Sequence, residues 1–172
     1  MSALEGKTVL ITGANAGIGK EVARQLALRP EFARIYLACR NKDRAIAAQA
    51  ELEAATGRYM FDIVLIDVAD LGSVRAGLAA IDGSVDALVM NAGVIGPQTL
   101  KLTADGVTNV FATNVLGHVV LLEGLLAEGR LGEVAVFVGS EAVRGVPKLR
   151  MKAPPFVSTS ADELASVIDG SY

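Results

Sequence analysis

The stretch Val9–Lys20, VLITGANAGIGK, constrains this chain more than any other. An apolar, β-branched run from Thr8 to Ile11 reads as a buried strand of a parallel sheet. It stops at Thr12-Gly13, Gly17 and Gly19 follow, and a helical pattern begins at Ile18. A strand, a glycine turn and a helix N-terminus in this order build an anion site. The first helical N–H groups have no internal partner, and the helix dipole favours negative charge beside them. Glycines let the backbone turn sharply and approach a ligand with no Cβ in the way. The alternative is an ordinary strand-to-helix turn. The spacing is Gly-x-x-x-Gly-x-Gly, unlike the common Gly-x-Gly-x-x-Gly fingerprint, and no Gly-Lys-Ser/Thr closes a P-loop.

Strand and helix patterns alternate from there on. Strands are expected at Lys7–Ile11, Ala33–Cys39, Phe61–Ile66, Ala87–Met90 and Glu133–Val138. Helices are expected at Ile18–Leu28, ended by Pro30, and at Asp43–Ala55, with Gly57 just beyond. A third, Leu71–Ile81, has Asp70 placed to cap it. In the first helix Ile18, Val22 and Leu26 share a face. A long helix at Thr103–Leu126 carries apolar Val107, Val110, Phe111, Val115, Val119, Leu122 and Leu126. Uninterrupted alternation predicts an α/β fold with a parallel sheet.

Composition narrows the function. A length of 172 residues suits one domain with a real core, and 52% hydrophobic residues argue for a globular chain. No apolar run approaches the ~20 residues that span a bilayer, and MSALEGK lacks the features of a secretory signal. A net charge of −3 argues against general nucleic-acid binding, and the basic stretch Pro147–Lys152 reads as a solvated loop. Cys39 is the single cysteine, so no intrachain disulfide or cysteine metal cluster is expected. A cytoplasmic location fits this usage.

Thr12-Gly13-Ala14-Asn15-Ala16-Gly17-Ile18-Gly19 resembles the cofactor motif of the short-chain dehydrogenase/reductase family, and Asn91-Ala92-Gly93 resembles its NAG motif. The resemblance implies a Rossmann-type, doubly wound parallel sheet of about five strands in the order 3-2-1-4-5. It implies a dinucleotide-binding core over residues 1–140 and an irregular segment of the same domain, with a short helix, over 141–172. Cofactor contacts are then expected from Gly13, Asn15, Gly17, Ile18 and Gly19 at the first turn. Arg40 and Asn41 follow the second strand, Asp67 and Val68 the third, and Asn91, Ala92 and Gly93 the fourth. An NAD site of this type has a carboxylate about 20 residues past the glycines to hold the ribose hydroxyls. Here Cys39-Arg40-Asn41-Lys42 occupies that corner. Arg40 offers a guanidinium fork suited to a phosphate, so NADP is expected over NAD, a solvated loop being the alternative. In the family an acidic residue at Asp67 binds the adenine amino group; capping the next turn is an equal alternative.

The long helix carries Asn114 within FATNVLGH. A buried amide left unpaired costs roughly 1–3 kcal/mol, so Asn114 requires a partner. The plain reading is a bond to nearby backbone; the resemblance implies a catalytic Asn that orders a proton-relay water. His118, four residues on, reads as structural. Ser140 follows the fifth strand at the sheet edge where open α/β sheets place ligands. It matches the family's catalytic Ser, which bonds the substrate carbonyl oxygen. The family's Tyr-x-x-x-Lys is absent: Tyr36, Tyr59 and Tyr172 have no Lys four residues later. Retinol-dehydrogenase-like and protochlorophyllide-reductase-like relatives carry an insertion between Ser and Tyr, and the expectation is that the chain stops within or just after such an insertion. Val143–Phe156 is then basic and proline-bearing, and Thr159–Ile168 a short helix with Ser160 and Glu163 as a capping box. The reading is an NADP-dependent oxidoreductase fragment or truncated product acting on a small-molecule carbonyl or alcohol; the alternative is a non-catalytic NADP-binding or partner-binding module. An uncovered long-helix face predicts self-association or a partner there, with no membrane span and no nucleic acid.

Overall fold

The first strand of the chain becomes the centre of the sheet. In the computed structural model, which describes residues 6–95 and 101–140, β1 (Lys7–Thr12) pairs with β2 (Phe32–Cys39) on one side and β4 (Val85–Met90) on the other. β3 (Phe61–Leu65) lies outside β2, and β5 (Leu131–Phe137) lies outside β4. All four pairings are parallel, in the order β3-β2-β1-β4-β5. The expected α/β sheet and its strand order are therefore what the chain forms. The readings made for residues 141–172 lie outside the described residues.

Successive side chains of a strand point to opposite faces, which explains the two cores. Leu10 joins Tyr36, Val64, Leu88, Leu121 and Leu125 on one face. Val9 and Ile11 join Ala23, Ile35, Leu37 and Leu52 on the other. Val9, Leu10 and Ile11 are all fully buried, as expected of a strand covered on both faces. Each such aliphatic side chain contributes about 1.5–3 kcal/mol by its burial.

Helices α1 (Gly17–Ala27) and α2 (Lys42–Thr56) cover the second core, and α3 (Leu71–Ala80) and α4 (Asn109–Ala127) cover the first. Their ends follow the local sequence. The Asp70 side chain accepts from the N–H groups of Gly72 and Ser73, at 2.8 and 3.2 Å. Gly57 takes a left-handed φ of 66° and closes α2 by an N–H bond to the Glu53 carbonyl. Asn41 caps the start of α2 by accepting from Arg44 N–H at 2.9 Å.

Two expectations need correction. In α1 the buried stripe is Gly19, Ala23 and Ala27, with Val22 and Leu26 packed beside it, while Ile18 is 65% exposed. The long helix starts at Asn109, not Thr103. Thr103 donates its N–H to the Val107 carbonyl at 2.8 Å, Gly106 turns at φ +77°, and the Thr108 hydroxyl accepts from Phe111 N–H to open the helix. The Asp105-Gly106 pair is a turn signal that the helical reading passed over. The sheet decides which side of α4 is buried. Ala112, Thr113, Gly117, His118, Leu121 and Leu125 are buried, and Val115, Val119 and Leu126 are 38%, 39% and 56% exposed. A helix apolar on all sides gives no phase from its period.

Asn109–Ala127 is 19 residues long with a mean hydropathy of 1.7, enough by length and composition to cross a membrane. That amends the expectation of no such run. In this fold the helix lies along the sheet, with Leu121 and Leu125 fully buried against it. β5 is the outer strand on this side of the described sheet, and its Val134, Val136 and Phe137 are exposed.

Candidate functional site

Chain direction across the sheet reverses between β1 and β4: β2 and β3 extend one way, β4 and β5 the other. Beyond the C-terminal ends of those two strands the loops part, and open α/β sheets place their ligands there. A cleft of about 320 Å³ opens at this point. Gly13, Asn15 and Gly17 line it from the first turn, and Arg40 and Asn41 from the second. Asp67 and Val68 line it from the third, and Asn91, Ala92 and Gly93 from the fourth. Two expected contacts are not in the lining. Ile18 stands exposed outside it, and Gly19 is buried beneath it.

The first turn fits a pyrophosphate. Gly13 and Gly17 take left-handed φ values of 66° and 54°, which side chains rarely adopt. A Cβ on Gly17 would meet nothing within 4 Å, so it would project into open space over the turn. The residue before α1, Ala16, offers no side-chain cap, and the first turn of α1 holds no acidic residue. Its first N–H groups thus receive no side-chain acceptor from the cap position. Cys39 lies under this turn, facing the backbone of Ala14 and Asn15; burial pushes its thiol up to about 11, which makes it a packing residue and not a nucleophile.

At the second corner Arg40 is exposed, and Asn41 is committed to its capping bond. Arg44 also lines the cleft, so two guanidinium-bearing residues edge it here. Sequence reading passed over Arg44; its place in the first turn of a helix that follows Arg40 was the available signal. Among the described residues neither arginine forms an ion pair. Asp67 both lines the cleft and shapes its own turn, its Oδ1 accepting from Ala69 N–H at 3.0 Å.

Thr12, another residue that sequence reading left out, joins the first and fourth turns. Its Oγ1 accepts from the N–H groups of Asn91 and Ala92, at 2.9 and 3.0 Å. The Asn91 side chain braces the same junction by donating to the Thr12 carbonyl at 3.0 Å. Both His118 and Thr12 are 1% exposed, and His118 Nε2 stands 2.9 Å from the Thr12 hydroxyl.

Asn114 sits in a π-helical segment of α4, Ala112–Leu116, where Gly117 N–H reaches back to the Ala112 carbonyl. Such segments recur at functional sites because they re-aim backbone groups. The Asn114 amide grips the loop after β4: its Oδ1 accepts from Val94 N–H at 2.8 Å and its Nδ2 donates to the Val94 carbonyl at 3.0 Å. The side chain thus meets the plain reading, a bond to backbone. Ser140 is exposed just past the end of β5, on the same edge of the sheet and outside the cleft lining. Val138 N–H bonds the Met90 carbonyl at 3.0 Å and carries the β4–β5 pairing toward it.

The family model described as short chain dehydrogenase matches residues 7–150. Retinol dehydrogenase 12 from Bos taurus is 44% identical over 135 residues, which are 77% of this chain and 41% of that protein. The chain therefore spans about two fifths of the length of the curated relative it matches. Among solved structures, an alcohol dehydrogenase from the archaeon Thermococcus sibiricus complexed with 5-hydroxy-NADP gives a TM-score of 0.67 at 29% identity, covering 83% of this chain and 61% of that one. A short-chain dehydrogenase from Sphingobium yanoikuyae in complex with NADPH gives 0.66 at 26% identity, covering 84% and 57%. With a match that runs from the first residue of β1 to beyond β5, this chain belongs to the short-chain dehydrogenase family.

Proposed function

We propose that this chain carries the cofactor-binding part of an NADP-dependent oxidoreductase acting on a small-molecule carbonyl or alcohol. One observation carries the reading: the cleft joins an uncapped helix start to Arg40 and Arg44 at the corner where an NAD site keeps a carboxylate. A nicotinamide cofactor bound there supplies a hydride to a carbonyl carbon, or takes one from an alcohol carbon. The chain's own residues bind and orient. The α1 N–H groups and the Gly13–Gly17 turn hold the pyrophosphate, and Arg40 and Arg44 take the phosphate on the adenosine ribose. Asp67 accepts from the adenine amino group. Asn91, Ala92 and Gly93 lie along the cofactor, where small residues permit close approach. Ser140 donates to the substrate oxygen, and Asn114, held by Val94, fixes the bulged turn of α4 beside the reacting end.

No Tyr in these 172 residues is followed by Lys four positions later. General acid catalysis worth about 10²–10⁴-fold therefore has no donor here, and turnover by this chain alone is low in this reading. The same observation favours a second reading, a non-catalytic NADP-binding or partner-binding module. Titration calorimetry with NADPH and NADH tests both. Tighter NADPH binding supports the cofactor assignment, and no binding by a chain with folded α/β circular dichroism overturns it. An NADPH oxidation assay over ketones and aldehydes then separates the two, since the binding module turns over none of them.

A further inference from the structure

The single histidine of the chain, His118, is buried in the centre of this network, and no role assigned so far uses it. The hydrogen-bond count at Thr12 fixes its chemistry. A threonine hydroxyl has one proton and two lone pairs. Both lone pairs are taken by the N–H groups of Asn91 and Ala92. The hydroxyl must then donate, and its two possible acceptors are the Val89 carbonyl at 3.4 Å and His118 Nε2 at 2.9 Å. The shorter contact is the ring nitrogen. That nitrogen has no lone pair opposite it to donate into, so it is bare, and the ring proton lies on Nδ1. Nδ1 is buried without a partner at full hydrogen-bond geometry, and the Asn114 backbone carbonyl, one turn earlier, is the polar group that bears on the ring.

We infer that His118 is a positioning residue for the cleft: as the neutral Nδ1–H tautomer it accepts the Thr12 hydroxyl proton and so aims the Thr12 oxygen at the Asn91 and Ala92 N–H groups. The tautomer follows from the hydrogen bonds alone; its consequence for binding rests on the dinucleotide reading above. Among the described residues the ring meets Thr12 from β1, Phe137 from β5 and the Asn114 carbonyl from α4. Phe137 meets the ring edge-on, at 5.7 Å between centroids and 81° between planes. None of these groups is charged. Burial lowers the imidazole pKa, with the Asn114 carbonyl opposing, which agrees with a neutral ring. Protonating Nε2 would set a donor against an oxygen with no free lone pair. Thr12 would then have to release Asn91 or Ala92, and with them the fourth wall of the cleft.

The test uses the whole chain labelled with 15N-histidine, where one histidine needs no assignment. At pH 7 we expect Nδ1 protonated and Nε2 bare; an Nε2–H tautomer or an imidazolium overturns the inference. NADPH affinity gives the second readout. His118→Phe keeps the ring volume and loses the acceptor, and a drop of about fivefold is expected from one lost hydrogen bond. His118→Gln, whose amide reaches the same position, is expected to restore most of it. A folded His118→Phe chain that binds NADPH as tightly as wild type refutes the positioning role. Should that variant not fold, the labelled wild-type chain decides. Its NADPH affinity must weaken in step with protonation of the ring, and affinity that ignores the titration refutes the role. If the wild-type chain binds no dinucleotide at all, the cofactor reading fails, and the tautomer still stands or falls by its own spectrum.

Discussion

Gly19 and Asn91 meet too closely for any side chain between them. A Cβ on Gly19 would stand 2.5 Å from Asn91 Nδ2 and 2.7 Å from the Gly13 carbonyl oxygen. Gly19 is thus a packing residue that seats α1 on the β1 turn, and its effect on a ligand is indirect. Gly17 differs: its φ is 54° and nothing stands within 4 Å of its would-be Cβ. We expect Gly19→Ala to destabilise the fold by about 1–3 kcal/mol through overpacking, seen as an earlier urea midpoint. Gly17→Ala pays only its backbone conformation, about 1–2 kcal/mol, without a clash. Its signature is a loss of NADPH affinity beyond what its stability change predicts. An intact affinity in folded Gly17→Ala chain would speak against a phosphate over this turn.

Arg40 and Arg44 give the sharpest test of cofactor choice. Charge-assisted hydrogen bonds contribute about 1.5–3 kcal/mol, so Arg40→Ala should weaken NADPH about 10–100-fold. NADH, lacking the extra phosphate, should be nearly unaffected. Arg44→Ala is expected to act in the same direction with a smaller effect, and both losses should shrink as salt rises. Calorimetry with the two cofactors measures this; an equal loss for NADH and NADPH would place neither arginine at the phosphate.

Arg130 separates stability from binding. Its guanidinium donates to the Gly83 carbonyl at 2.8 Å, to the Leu78 carbonyl at 3.2 Å and to the Ile81 carbonyl, and pairs with Glu128 at 2.9 Å. One side chain thereby ties together the carbonyls of Leu78, Ile81 and Gly83 at and just beyond the end of α3. Arg130→Met is expected to cost about 1–3 kcal/mol in chemical denaturation. The NADPH dissociation constant should not move, because no part of this cluster lines the cleft.

These predictions divide along what local sequence can reveal. β1 and β2 were legible because strands buried on both faces need continuous apolar runs, and VLIT and IYLAC supply them. Asp70 and Gly57 were legible because capping chemistry acts within a few residues. The face of α4 was not, since Val115, Val119 and Leu126 are as apolar as Leu121 and Leu125, and only the sheet decides which set it covers. Thr12 and His118 lie 106 residues apart, and no local pattern announces a contact at that range. The glycine turn was legible as a strand-to-helix junction, while Arg44 joined the same cleft only when Asn41 capped α2 and set the helix start.

The outer face of α4 predicts association. Val115, Val119 and Leu126 are exposed on one helix, and β5 adds exposed Val134, Val136 and Phe137. Exposed apolar side chains on a helix and on a sheet edge favour a partner or a second copy of the chain. We expect light scattering at micromolar concentration to show more than monomer, and Val119→Glu to shift the distribution toward monomer. A sharp monomer peak for the wild-type chain would remove this reading.

The pH dependence of stability reports on His118 directly. Burial lowers its pKa from the ordinary value of 6.5. As pH falls through 6.5 the unfolded chain takes up the proton first, so the unfolded state binds more protons and stability declines with pH. The contribution of the neutral ring is complete above about pH 6.5 and is lost between there and the lower folded value. His118→Gln carries no titrating group, so the stability difference between wild type and this variant should narrow over that window. Glu21 acts in a separate, lower range: hydrogen bonds from Arg24 and Gln25 hold its carboxyl near about 2, below the usual 4.5. Its stabilising effect is present above pH 4.5 and fades only as pH falls toward 2, so it does not mask the histidine. Urea denaturation from pH 7.5 to 5 measures the difference. A constant gap across that range would mean that the ring is equally at ease charged and neutral, which the uncharged surroundings of Thr12, Phe137 and the Asn114 carbonyl argue against.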